Sequence, residues 1–437
     1  MLKNTIIRLM KIKNFIDIKS LLFENKGTKQ TIFKNTFWLM LAEGISKGLM
    51  FFLTILIARY LGAAGYGKFS FAFTFVALFA VIADFGLSTL TIREVARDKS
   101  LARKYIDNIA VIKLILGIIT FVLIITVIQF LGKTPEIKSL VYLTGIWVVI
   151  QSFTQFFQSI FRAFEKMQYE ALSKIAYSIL LFLIAGSILW KNLGIKLLIS
   201  SYIVAGLIAF VLTLILVQKN FTKFWAEIDF GFWKELLKEA WPFALFGVFA
   251  IIYFQIDIIM LSLMRTDLEV GLYSAVFRLV TILLILPGII ISAVFPNLSI
   301  LYNKNTSLFK RLSKNVLNKF VVLGTSFTII LIIFSKQIIY LIYGLEYLKA
   351  AIPLQIIALI LPFRFANYLF GNTLSAMNKQ RVRLYSSLAC AVFNILTNLI
   401  FIPILGIVGA AITTLFTELL LLGLYNHFFR KELSILK

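Results

Sequence analysis

IAVIKLILGIITFVLIITVIQFL, residues 109–131, decides what kind of protein this is. Its only charged side chain is Lys113, and apolar residues cover every face of the helix it would form, not one stripe. Water rejects such a helix, whereas a bilayer core, crossed by about 20 apolar residues, accepts it. The same ruler finds further stretches at residues 37–57, 69–92, 140–160, 171–190, 197–217, 240–263, 271–295, 316–334, 352–370, 384–402 and 406–428. The segment 316–334 is the least clear of them, because Lys319 and Ser335 crowd its ends. Composition agrees, with 60% apolar residues and a mean hydropathy of +0.93 over 437 residues. The expected fold class is therefore all-α integral membrane, with about 12 transmembrane helices.

A net charge of +24 needs reading by position. Nucleic-acid binding would gather Lys and Arg on one face or arm with interleaved aromatics; here they are dispersed over many loops, which argues against a nucleic-acid partner. Placing the N-terminus in the cytoplasm puts 31 of the 44 Lys and Arg in inside segments and 9 in outside loops, as the positive-inside rule requires. Both termini are then cytoplasmic, in a multi-pass protein of the cytoplasmic membrane. Four cations remain at membrane depth: Lys47, Lys113, Arg278 and Arg364. The single cysteine, Cys390, permits no disulfide within the chain, and no metal-ligand motif accompanies it. Residues 1–32 lack the pattern of a cleaved signal peptide and read instead as a basic amphipathic segment suited to anionic lipid headgroups.

The two halves of the chain resemble each other. Gly67, Ser70 and Phe73 recur as Gly271, Ser274 and Phe277 at an offset of 204, and Leu193-Gly194-Ile195 recurs as Leu405-Gly406-Ile407 at an offset of 212. This suggests a six-helix lobe over residues 33–218, a cytoplasmic linker over 219–239, a second six-helix lobe over 240–430 and a tail over 431–437. Six spans per repeat is even, so the lobes should be related by a pseudo-two-fold axis along the membrane normal, with a cleft between them open to each face in turn.

Charges and amides at membrane depth are the informative residues, since each buried charge costs roughly 2.5–3.5 kcal/mol on insertion scales. Glu43 and Lys47 share one helical face, either as a self-neutralising pair or as cavity lining. Gln151, Gln155, Gln158 and Arg162 form a polar stripe that lines a watery path or bonds helices together. Asn394 and Asn398 form another such stripe with Ser387, and Ser274, Arg278 and Thr281 a third. Pro287-Gly288 and Pro362 should kink their helices. Arg364, just past its proline, is either an anchor for an anionic group or the partner of Asp257 or Glu418. Asp84, Asp257 and Glu418 are the buried acids, each a candidate for coupling to H⁺ or Na⁺ and each open to a structural ion-pair reading. No catalytic residue, metal site or cofactor is expected. Gly132-Lys133-Thr134 mimics the end of a P-loop, but Val127 stands where its first glycine belongs, and His427 is alone.

ARYLGAAGYGKFSFAFTFVALFAVIADFGLSTLTIREVAR, residues 58–97, resembles the signature of the polysaccharide biosynthesis or oligosaccharide flippase family, within the multidrug, oligosaccharidyl-lipid and polysaccharide exporter superfamily. The elements that carry the resemblance are Leu61-Gly62, Tyr66-Gly67, Asp84-Phe85-Gly86-Leu87 and Arg93-Glu94. It implies a flippase that moves a polyprenyl-diphosphate-linked oligosaccharide to the outer leaflet, with membrane lipids and glycan assembly proteins as partners, working as a monomer. For that cargo, Lys47, Arg278 and Arg364 are the candidate contacts to diphosphate and sugar, chosen from their depth and phase along the helices. An ion-coupled drug or cation exporter of the same superfamily is the alternative, and a membrane glycosyltransferase or polymerase a more distant one, since the outside loops are too short for a catalytic domain.

Overall fold

The computed structural model describes residues 22–25, 27–221 and 228–435. Most of the amphipathic segment expected over residues 1–32 lies outside the described residues, as do residues 222–227 of the linker and the last two of the tail. Among the described residues the regular elements are helices: α1 Thr28–Asp84, α2 Leu87–Arg97, α3 Ala102–Phe130, α4 Pro135–Ala163, α5 Met167–Trp190, α6 Ile195–Asn220, α7 Phe230–Met264, α8 Asp267–Ile282, α9 Ile285–Lys304, α10 Thr306–Ile333, α11 Ser335–Tyr343, α12 Ala351–Ala358, α13 Leu361–Ala376, α14 Gln380–Leu405 and α15 Ile407–Ile435. Nine helical stretches among them are long and apolar enough to cross a membrane, or 11 if two bent pairs each count as one span, and the first, of 68 residues, is long enough for two crossings. The chain is an all-α, multi-pass membrane protein.

Three breaks have local causes. In α1, Gly62 takes φ 65° and ψ 175°, a conformation that glycine adopts without steric cost. Pro287 lacks an amide and clashes with the carbonyl four residues back; α8 accordingly ends at Ile282, and α9 begins only at Ile285. Pro362 does the same to Ala358, where α12 stops, and a bend of 45° follows. The helices marked by Pro287-Gly288 and Pro362 are both interrupted, with the bend at Pro362.

The chain divides into two compact units. The first contains Met1–Leu53, Ile82–Val122 and Gly145–Phe243. Its core joins α2, α3, α4 and α6 through Leu87, Leu90, Ile109, Phe156, Phe161 and Val217. Leu236 and Ala240 enter the same core, so the start of α7, within and just beyond the polar linker stretch, is a docked helix. Polar contacts fix it: Asn108 Oδ1 accepts from Asp229 N at 2.8 Å and from Trp233 Nε1 at 3.0 Å, and Arg93 pairs with Glu239.

The second unit contains Thr54–Val81, Leu123–Thr144 and Ala244–Lys437. Within it the part of α1 beyond Gly62 lies backbone to backbone against α8. A Cβ on Gly67 would sit 1.8 Å from Asp267 O, and one on Gly271 would sit 1.8 Å from Ala63 O. The two approaches are reciprocal, because Ala63 stands to Asp267 as Gly67 stands to Gly271. Gly324 makes a similar approach, its missing Cβ leaving room for Pro362 Cα.

Candidate functional site

In the first unit a ladder of charges runs across α1, α5 and α4. Lys47 Nζ lies 3.1 Å from Glu43, whose other oxygen receives Lys174 Nζ at 2.9 Å. Lys174 also reaches Glu170 at 3.0 Å, and Glu170 takes both Arg162 Nε at 2.8 Å and Arg162 Nη2 at 2.6 Å. Glu43 with Lys47 and Glu170 with Lys174 each use the four-residue helical spacing, while Arg162 ends α4, where the helix dipole favours a cation. The register is set by the α4–α5 turn. Lys34, buried on α1, donates to Glu165 O at 3.2 Å and Asn35 Oδ1 accepts from Met167 N at 3.4 Å. Burial and the nearby Lys166 charge push Lys34 down to about 8.

The ladder holds three cations and two carboxylates. Its outer members are open, with side chains of Lys47, Glu43 and Arg162 exposed by 53%, 44% and 42%. With three cations against two carboxylates, the ladder carries one surplus positive charge. Gln155 is exposed, and Gln151 is half-buried with its amide nitrogen unpartnered among the described residues. Gln158 is different: it is buried, donating to Ser173 Oγ at 3.0 Å, and Ser173 meets Thr213 at 2.6 Å. The polar stripe on α4 is thus glue at one level and open surface at another.

Asp84 sits at the break between α1 and α2, where Phe85 and Gly86 both take positive φ. Lys113 is fully buried against it, donating to Asp84 Oδ1 at 2.9 Å, Ala83 O at 3.1 Å and Ser152 Oγ at 2.7 Å. The cluster closes the open end of α1.

In the second unit two buried clusters lie one helical turn apart between α7 and α15. Asp257 accepts from Asn398 Nδ2 at 2.6 Å, Thr414 Oγ1 at 2.9 Å and Tyr273 OH at 3.0 Å, all neutral groups, and has no ion pair among the described residues. Glu418 accepts from Arg364 Nε at 2.8 Å, Tyr253 OH at 2.6 Å and Asn367 Nδ2 at 2.8 Å. The Arg364 guanidinium also lies 5.6 Å from the ring centres of Phe254 and Phe277. Of the two partners the sequence offers Arg364, the structure selects Glu418. Asn394 and Asn398, expected on a cavity wall, are buried instead: Asn394 donates to Thr417 at 3.3 Å and Asn398 serves Asp257. Arg278 stays exposed on α8, without an ion pair among the described residues.

The profile of the family described as "Polysaccharide biosynthesis protein" matches residues 32–302, more than half of the chain. The chain belongs to this family. Among polysaccharide biosynthesis proteins and their kin, a protein of Haloferax volcanii named "Probable low-salt glycan biosynthesis flippase Agl15" is 23% identical over 403 residues, covering 91% of this chain and 83% of that one. Two solved structures share the fold. The lipid II flippase MurJ in an inward closed conformation has a TM-score of 0.75 at 17% identity, over 90% of this chain and 87% of that one. An inward-facing multidrug resistance transporter of the MATE family has a TM-score of 0.70 at 16% identity, over 91% and 98%. This family member is thus a multi-pass membrane protein that shares the fold of those two solved proteins. Sequence reasoning missed Glu170 and Lys174, although their spacing repeats that of Glu43 and Lys47, and it missed Tyr253, Tyr273, Asn367 and Thr414, whose role appears only when helices far apart in sequence are packed.

Proposed function

We propose that this protein flips a polyprenyl-diphosphate-linked oligosaccharide or polysaccharide repeat unit across the cytoplasmic membrane by alternating access, for cell-surface glycan assembly. The observation that carries the reading is the net-positive ladder of Lys47, Glu43, Lys174, Glu170 and Arg162, whose outer members are exposed. A hydrophilic, cationic face suits sugars and a diphosphate while the prenyl tail stays in lipid; an organic cation would be repelled by it. Lys47 in the first unit and exposed Arg278 in the second are the cations we assign to the headgroup. Arg364 is neutralised by Glu418 and is assigned to holding α13 on α15. Asp257, held by neutral donors alone, is the group we assign to coupling with H⁺ or Na⁺. The reciprocal approach at Gly67 and Gly271 supports a pseudo-two-fold relation between the chain halves. Inside-positive loops support cytoplasmic termini, and nothing in the reading requires more than a monomer, with glycan assembly proteins supplying and consuming the cargo.

The test is translocation of a defined lipid-linked oligosaccharide in reconstituted vesicles, read by the accessibility of the glycan to an added glycosidase. Lys47→Gln and Arg278→Gln should each slow transfer by about ten-fold, the loss of one charge-assisted contact. Unaltered transfer by both variants, or formation of new glycosidic bonds in place of transfer, overturns the proposal.

A further inference from the structure

At one end of the second unit, side chains from the two chain halves finish each other's helix ends. The break at Gly62 interrupts the hydrogen-bond ladder of α1, opening carbonyls before it and amides after it. Glu346 Oε1 accepts from Ala63 N at 2.9 Å, a carboxylate at the start of the resumed helix. Tyr347, buried in the same short 3₁₀ segment, donates its hydroxyl to Ala58 O at 2.8 Å, just before the break. The favour is returned by Arg59, whose Nε donates to Ile342 O at 2.7 Å while Nη2 reaches Leu341 O, the last carbonyls of α11. Each charge has the sign that the neighbouring helix end prefers. Lys133 adds a further tie, to Ser262 O near the end of α7.

We infer that Arg59, Glu346 and Tyr347 are a latch that keeps the two chain halves closed at this end and must open once in every transport cycle. The inference rests on the alternating-access reading above. Three features support a device that opens. Arg59 and Glu346 are exposed, so water can replace their partners at small net cost. The contacts join residues 282–289 positions apart and are all non-covalent. The contact beneath, at Gly67 and Gly271, is backbone against backbone, without interlocked side chains at the two glycines themselves. Gly62 itself belongs to the latch, because a Cβ there would lie 2.7 Å from Glu346 Oε2.

The experiment measures distance, not transport. Spin labels are placed at Phe130→Cys and Lys349→Cys, both exposed, in the full chain with the buried Cys390 replaced by Ala, and the label separation is recorded by pulsed dipolar spectroscopy in lipid nanodiscs. Tyr347→Phe, which keeps the ring in its buried place, and Glu346→Gln should each raise the long-to-short population ratio about five-fold, and Arg59→Ala about ten-fold. Lys336→Gln, on the exposed side of α11, should leave it unchanged. A distribution that none of the three latch variants moves overturns the latch. Since no cargo is needed, a shifted distribution in a protein that flips no glycolipid would remove the flippase reading and leave the latch standing; an unshifted one in an active flippase does the reverse.

Discussion

At the residue scale, what matters is which buried charges have partners. The four cations at membrane depth were legible as exceptions to the apolar pattern, and Glu43 as a partner of Lys47 from helical spacing; the choice between Asp257 and Glu418 for Arg364 was not, because that ion pair joins residues 54 positions apart and leaves no periodic trace. Removing one member of such a pair strands the other. Glu418→Ala should therefore lower the apparent unfolding free energy in detergent by about 3–5 kcal/mol, while the double variant Arg364→Met/Glu418→Met should lose clearly less. A single variant no worse than the double one would show that the pair carries little. Lys34 makes a pH prediction. Its folded value of about 8 lies below the ordinary 10.5, so between these values the unfolded chain holds more protons and stability rises with pH. Thermal melting of the wild type should thus gain on Lys34→Met from pH 8 to 10, and a constant difference would refute the shift.

Elements were easier to read than their partners. Apolar stretches of bilayer length became helices, and Pro287 and Pro362 broke theirs at the carbonyl four residues back, at Leu283 and Ala358, whereas Pro296 and Pro403 lie inside α9 and α14. The break at Gly62 had no such signal, since glycine permits positive φ without demanding it. Glycine spacing did carry a contact: Gly67 and Gly271, paired in sequence by a 204-residue offset, are paired in space with α1 and α8 touching. No side chain fits there. Gly67→Ala and Gly271→Ala should each force the helices apart, costing about 1–3 kcal/mol in melting experiments, and the double variant should cost less than the sum, because one displacement relieves both clashes. Strict additivity would mean the two glycines do not share a contact.

For the whole molecule, the proposed coupling turns on whether the buried Asp257 carboxylate draws on the energy stored across the membrane. Hydropathy gave the class, whereas the Asp257 cluster needed α7, α8, α14 and α15 brought together and was invisible one helix at a time. Three neutral donors leave the carboxylate a choice between taking a proton and taking a small cation; an isolated anion at such burial is too costly to persist alone. One charge moved through 100 mV is worth about 2.3 kcal/mol, enough to change a transport ratio by nearly fifty-fold. Imposing a proton or sodium gradient on vesicles should therefore accelerate flipping by the wild-type protein, and only one of the two ions should do so. Asp257→Asn keeps the size and most of the hydrogen bonds but fixes the site in its neutral form, so its flipping should persist at a lower rate and ignore either gradient. Asp84→Asn, which touches the Lys113 cluster that closes α1, should weaken folding while any protein that folds keeps its gradient response. If instead Asp257→Asn responds to the gradient as the wild type does, the coupling charge lies elsewhere.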